Sequence, residues 1–363
     1  MNVFRSSDPV ALLREDLRDF VGYRSARIDT VQGEVWLNAN EACTASFIDP
    51  SGALHRYPSP QPERLVDALA RLYGCDSTQV LVSRGSDESI DLLVRAFCTP
   101  GRDAVVVTPP VFGMYAVSAR LHGARVVEAP LFDDGDDYRV DLDAVGHAAI
   151  ALGAKVVFLC SPGNPAGGVI PRDGVTALAR LLDARALVVI DEAYVEFADA
   201  PWLTRDVATL RNLVVLRTLS KAHALAGARI GCAIADPGVV AALRRCQAPY
   251  PIPAISAAVA IDALSPAALA ATASRITETK LARERLRESL RMLPGIRRVY
   301  PSQANFFLVR FDDADSAWRR LCGAGVIVRD MRAMPALHDA LRITVGAPHD
   351  NIRMLDALRG TVP

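Results

Sequence analysis

Lys221 is one of only three lysines in a chain that carries 41 Lys+Arg, so arginine stands almost everywhere that charge alone is wanted. A guanidinium keeps its proton at ordinary pH, whereas a lysine amine can lose it and condense with an aldehyde. Lys221 follows Thr218 and Ser220 and leads into a turn of small residues, Ala224, Ala226, Gly227 and Ala228. Taken alone, such a residue is usually a solvated loop lysine. Its company argues otherwise. Asp191 ends the apolar run Leu187 to Ile190, and a carboxylate at a buried strand end is costly unless a cation answers it. Tyr194 follows closely, and Asn164 sits in a Pro-Gly-Asn-Pro turn that exposes its amide. Ser86 and Asp87 open a helical pattern after Gly85, offering free N–H groups to an anion. Each such Gly-Ser-Asp is by itself a helix cap. Phe112 lies on a proline-stiffened loop with Tyr115, and Arg229 adds a cation beyond the lysine loop.

Together these are the parts that hold pyridoxal 5′-phosphate: an anion cradle, a stacking ring, an amide, a strand-end acid, an aldehyde-reactive lysine and an arginine. The elements that position them are read from hydrophobic runs. Val80–Val82, Ala104–Val107, Val126–Val127, Val156–Leu159, Leu187–Ile190, Leu213–Leu216 and Ile230–Ile234 are apolar throughout. Continuous rather than alternating hydrophobicity predicts a mostly parallel sheet covered on both faces, with ligands beyond the carboxyl ends of its strands. A dinucleotide fold is excluded because no G-x-G-x-x-G follows the first run. No Walker A loop and no metal-ligand cluster is present, so no metal is expected. Val10, Leu13, Leu17 and Phe20 predict an N-terminal helix, and Leu65, Leu69 and Leu72 predict another from about Pro62 to Tyr73. Pro249, Pro251 and Pro253 mark a connector. Beyond it the pattern predicts a long helix through Leu281, Leu286 and Leu290. Strands near 305–310, 326–328 and 341–345 and a terminal helix follow.

With 363 residues, two domains are expected. The formal net charge of zero offers nothing to nucleic acid or to a membrane surface, and no apolar run reaches the length of a membrane span. Seven scattered cysteines without a C-x-x-C pair suit a reduced, cytoplasmic setting.

The motifs Trp36-Leu37-Asn38-Ala39-Asn40-Glu41, Arg56-Tyr57-Pro58, Ser83-Arg84-Gly85-Ser86-Asp87-Glu88, Asp191-Glu192-Ala193-Tyr194, Arg217-Thr218-Leu219-Ser220-Lys221 and Leu341-Arg342-Ile343-Thr344-Val345-Gly346 carry a resemblance. The chain resembles the fold-type-I pyridoxal-phosphate aminotransferases from about Tyr23 to its end, and within them the histidinol-phosphate aminotransferase family. The resemblance implies an α/β fold with a large domain built on a seven-stranded mostly parallel sheet and a smaller α+β domain. Residues 1–50 would join the small domain, 51–250 form the cofactor domain and 251–363 the small domain. It makes Lys221 the lysine bonded to the cofactor and Asp191 the partner of its ring nitrogen. Asn164 and Tyr194 would bond the ring hydroxyl oxygen, and Phe112 would stack on the ring. Ser86, Asp87, Ser220, Thr218 and Arg229 would hold the phosphate, joined by Tyr57 from the other subunit of a homodimer. Tyr23, Asn40, Arg329 and Arg342 would bind substrate. Gly163 and Ala166 stand where the family usually has Asn and Thr, and His223 where it has an aromatic carbocycle. The implied substrates are histidinol phosphate with glutamate or 2-oxoglutarate. A threonine-phosphate decarboxylase or an aromatic amino-acid aminotransferase of the same fold is the alternative.

Overall fold

All seven apolar runs are strands of one sheet. In the computed structural model, which describes residues 6–23, 35–49 and 51–360, they are β1 (Val80–Ser83), β2 (Ala104–Val107), β3 (Arg125–Glu128), β6 (Ala154–Cys160), β7 (Leu187–Asp191), β8 (Leu213–Thr218) and β9 (Gly231–Ile234). Between β3 and β6 a small hairpin intervenes, β4 (Phe132–Asp133) and β5 (Tyr138–Arg139). The order across the sheet is β1-β9-β8-β7-β6-β2-β3. Only β9 runs antiparallel to its neighbours β1 and β8; the other pairs are parallel. Parallel pairs require crossovers, and helices supply them on both faces. These are α1 (Glu63–Tyr73), α2 (Gly85–Phe97), α3 (Met114–His122), α4 (Leu142–Ala151), α5 (Arg172–Leu181) and α6 (Pro237–Cys246). Two apolar layers result. One packs α1, α4 and α5 against one face, and the other packs α2, α3 and α6 against the opposite face. Alternate residues of each strand enter alternate layers, which is why the strands read as unbroken apolar runs.

The N-terminal periodicity does not become one helix. Residues 9–17 form two short 3-10 turns, Pro9–Leu12 and Glu15–Leu17, because Leu13 is extended between them. Leu12 and Leu13 are buried with α2 and α6, so residues 9–17 lie on that layer of the large sheet; residues 1–5, 24–34, 50 and 361–363 lie outside the described residues. Past the prolines, α7 (Ala254–Ala263) packs on α1, and α8 (Pro266–Arg291) runs to a second sheet. That sheet, β10-β11-β13-β12, is antiparallel and comprises β10 (Ile296–Val299), β11 (Phe306–Phe311), β12 (Arg329–Asp330) and β13 (Ala340–Thr344). It is covered by α8, α9 (Ala314–Gly323) and α10 (Pro348–Arg359). The apolar stretch Val326–Val328 is not a strand; pairing begins only at Arg329, and Val326 and Val328 pack on the helices instead. Among the described residues no single helix is long and apolar enough to cross a membrane.

Candidate active site

A cavity of about 130 Å³ opens where β6, β7 and β8 end, lined by Ser86, Asp87, Phe112, Asn164, Asp191, Tyr194, Thr218, Ser220, Lys221 and Arg229. Ten residues drawn from six separate stretches of sequence therefore converge on it. The carboxyl ends of parallel strands lie next to helix N-termini, which is why a sheet of this kind gathers its loops at one edge.

At the floor is Asp191, only 3% exposed. Its Oδ2 accepts from the Tyr115 hydroxyl at 2.8 Å and its Oδ1 from the Ala193 N–H at 3.0 Å. Burial pushes its pKa up to about 6, against the lowering effect of those two donors. Two donors hold the carboxylate, and Lys221 is a nearby cation, although no salt bridge to Asp191 is found among the described residues. Tyr115 was visible in the sequence only as a loop aromatic. It is fixed by stacking on Phe158, with ring centroids 4.9 Å apart, and by the edge of Phe112 at 5.6 Å. The signal available was its place one turn beyond Phe112, at the start of α3, which puts both rings on one side of the helix entry.

Lys221 is exposed, yet desolvation of its amine by the surrounding cavity wall, followed by the nearby Arg342 charge, lowers its pKa below the ordinary lysine value. Its ammonium lies 5.5 Å from the Tyr194 ring centroid. Asn164 Nδ2 donates to the Tyr194 hydroxyl at 3.4 Å, and Arg342 donates to Asn164 Oδ1. That last bond joins the small antiparallel sheet to the large one. Arg342 also lies over the Phe306 ring at 5.1 Å, and its Nε is buried without a partner.

The other end of the cavity is built for an anion. Helix α2 starts at Gly85, whose φ of +72° suits a residue without a Cβ. A Cβ there would come within 2.5 Å of Arg229 Nη2. Arg229 itself holds a left-handed φ of 55° and pairs with Asp87 at 3.1 Å. Thr218 Oγ1 donates to Ser220 Oγ at 2.9 Å and accepts from the Ser220 N–H at 3.1 Å, folding the start of the lysine loop over the helix N-terminus. Gly231, absent from the expected site residues, lets β9 pass close: a Cβ there would meet Ser86 N at 2.5 Å. A glycine opening a strand next to the lysine loop was the available signal. Cys160, Ala193 and Ala226 also line the cavity and were not foreseen.

Five expected residues are not among those lining the cavity; one of them, Arg342, reaches it only through its bond to Asn164. Tyr57 stacks on Tyr250, ring centroids 4.4 Å apart, and its N–H donates to Glu41 Oε1 at 2.6 Å. Tyr23 and Asn40 are exposed, as is Arg329, which sits opposite Arg342 in the β12–β13 ladder. A larger cavity of about 880 Å³ between β5, α4 and α5 touches the site at Cys160 but contains neither Lys221 nor Asp191. Among the described residues no cluster of His, Cys, Asp or Glu is placed to hold a metal.

Residues 27–359 match the family model described as aminotransferase class I and II. A histidinol-phosphate aminotransferase of Xanthomonas euvesicatoria pv. vesicatoria is 56% identical over 356 residues, 98% of each chain. One from Stenotrophomonas maltophilia is 57% identical over 351 residues, 97% of this chain and 96% of the relative. Among solved structures, the histidinol-phosphate aminotransferase of Sinorhizobium meliloti in complex with pyridoxal-5′-phosphate is similar, with TM-score 0.76 and 27% identity over 89% of each chain. The L-threonine-O-3-phosphate decarboxylase of Porphyromonas gingivalis shares the fold, with TM-score 0.73 at 22% identity, covering 86% of this chain and 93% of that one.

Proposed function

This chain belongs to the class I and II aminotransferases, and we propose that it moves an amino group between L-glutamate and imidazole-acetol phosphate, giving L-histidinol phosphate and 2-oxoglutarate. The observation that carries the chemistry is one cavity holding a lysine of lowered proton affinity, a buried carboxylate at a strand end and a helix N-terminus beside an arginine. The substrate assignment is supported by relatives of that name, 56–57% identical over nearly the whole chain.

The residues present fit pyridoxal 5′-phosphate. The Ser86 and Asp87 N–H groups, Ser220, Thr218 and Arg229 would hold its phosphate, and Gly85 and Gly231 let Arg229 and β9 approach that helix N-terminus closely. Phe112 would cover the ring, and Asn164 and Tyr194 would bond its hydroxyl oxygen. When bound, the cofactor supplies an aldehyde and an electron-withdrawing ring. Asp191 holds a proton on the ring nitrogen, and its carboxylate is returned to the charged form by that cation. Lys221, deprotonated at lower pH than an ordinary lysine, takes and returns the proton at the substrate Cα. Arg342, and Arg329 beside it, supply guanidinium forks to the anionic end of glutamate and of the phosphate substrate in turn.

Two further parts of the reading concern setting. The chain works as a homodimer in which Tyr57 serves the other subunit's site. In support, Leu37 is 90% exposed and Phe47 96% exposed in the single chain, an apolar surface in the segment leading to Tyr57. The cytoplasm suits seven free thiols. The deciding test is a half-reaction assay. Purified protein is mixed in turn with glutamate, histidinol phosphate and threonine phosphate while the cofactor absorbance is followed. Glutamate and histidinol phosphate should both convert the cofactor to its amine form without carbon dioxide release. Carbon dioxide from threonine phosphate at a comparable rate would favour the lyase instead.

A further inference from the structure

One buried cation in this molecule belongs to no function described so far. Arg217, on β8, is 0% exposed. Its Nη1 donates to Glu192 Oε2 at 2.7 Å and its Nη2 to Glu196 Oε1 at 2.8 Å. The guanidinium sits in the corner made by two rings, 4.5 Å from the Tyr73 centroid and 4.4 Å from that of Trp202, which meet edge to face with centroids 6.0 Å apart. Glu192 is held in turn by the Leu203 N–H at 3.0 Å. The cluster is not optimised for stability. Two acids face one base, and Arg217 Nε, Glu196 Oε2 and the Tyr73 hydroxyl are all buried without partners. Buried ion pairs of this kind are commonly matched or exceeded in stability by apolar replacements, so its position in the fold is the better guide to its use.

That position is the fork where β7 and β8 part. Their ladder ends with Asp191 opposite Leu216, followed by one bond from the Glu192 N–H to the Leu216 carbonyl at 3.0 Å. Beyond it one strand turns into the loop carrying Tyr194, and the other into the loop carrying Lys221. Side chains alternate along a strand. Asp191 and Thr218 line the cavity, while their neighbours Glu192 and Arg217 do not and meet outside it. Glu192 and Arg217 are therefore each one residue from a site residue, and Glu196 is two from Tyr194.

We propose that Arg217 is a positioning residue for the transamination: through Glu192 and Glu196 it clamps the diverging ends of β7 and β8, and so fixes Asp191 and Tyr194 relative to Thr218, Ser220 and Lys221. The inference rests on the roles given above to Asp191 and Lys221. A guanidinium held by two carboxylates and backed by the corner of two rings has little room to rotate or slide, whereas an apolar side chain would leave the two loops to settle separately. Misplacement by about 1 Å at such a site can cost on the order of a hundredfold in rate.

The test uses Arg217→Lys, which keeps the charge but loses the fork, and Arg217→Met/Glu192→Gln/Glu196→Gln, which removes the charges together. Three quantities are measured: melting temperature without cofactor, cofactor affinity by absorbance titration, and the pH midpoint of the bound cofactor's absorbance. Both variants should bind cofactor at least about tenfold more weakly, roughly 1.4 kcal/mol, with a displaced midpoint. In the neutral triple variant this should occur with little change in melting temperature. Wild-type affinity and midpoint in Arg217→Lys, or in a folded triple variant, would overturn the clamp. Borohydride reduction and peptide mapping keep the two readings apart. Label on Lys221 in every protein, with affinity and midpoint unchanged, sinks the clamp alone; label elsewhere in the wild type sinks the site on which it rests.

Discussion

Lys221 and Asp191 respond in opposite ways to desolvation, which makes the lysine easier to deprotonate and the aspartate harder to ionise. Lys221→Arg preserves charge and bulk but cannot bond an aldehyde. It should lose nearly all turnover while the fold is kept, and borohydride should fix no cofactor. Cofactor label on Lys155 or Lys280 in the wild type would contradict the assignment. Asp191→Asn should still bind cofactor yet turn over far more slowly, because an amide cannot keep the ring nitrogen protonated. Losing a charge-assisted bond in a dry site costs on the order of 2–4 kcal/mol of barrier. The same substitution has an opposite effect on the protein prepared without cofactor. There the folded state holds the Asp191 proton up to about pH 6, whereas the ordinary value is 3.8. Its contribution to stability is thus full below about pH 4 and lost as pH rises through 6, on the order of 1–3 kcal/mol in all. Melting curves from pH 4 to 7 should show Asp191→Asn gaining on the wild type as pH rises. Parallel curves would mean that Asp191 is already ionised.

At the scale of elements, the anion end of the site depends on how closely β9 passes the first turn of α2. Gly231→Ala would place a Cβ 2.5 Å from Ser86 N and 2.6 Å from the Gly85 carbonyl carbon, both backbone atoms that cannot turn aside. Helix and strand must separate, with a cost of about 1–3 kcal/mol and a splayed phosphate cradle. Cofactor affinity by titration should fall at least about tenfold, and inorganic phosphate should compete less well. A variant with unchanged affinity would show that the cradle does not depend on this approach. The elements also show where pattern reading gave way. Val10, Leu13 and Leu17 are spaced as on a helix, but an extended Leu13 splits the segment. Val326 and Val328 have strand-like side chains, yet both are taken by the helix layer of the small domain. In each case packing with distant residues overrode local propensity.

At the scale of the whole molecule, Tyr57 does not line its own chain's cavity but stacks on Tyr250, and Leu37 and Phe47 in the segment before it are exposed. If the site is shared between subunits, mixing inactive Lys221→Ala with impaired Tyr57→Ala and allowing subunit exchange creates one intact site per hybrid dimer. Activity should then partly return. A mixture no more active than its parents would place Tyr57 in its own chain's site or in none.

Much of this protein was determined by its sequence alone. Unbroken apolar runs can be satisfied only by strands covered on both faces, so the seven-stranded sheet was legible. Its carboxyl-end rule then singled out Asn164, Asp191 and Lys221, which the cavity brings together. Other features were decided only in three dimensions. Tyr115 reaches Asp191 from another strand's helix, Gly231 makes room for Ser86, and Arg217 finds its two carboxylates where two strands diverge. Periodicity reports which face of an element is buried, but not what waits on the other side. A buried arginine inside an apolar run looks like an interruption until the fold supplies its partners.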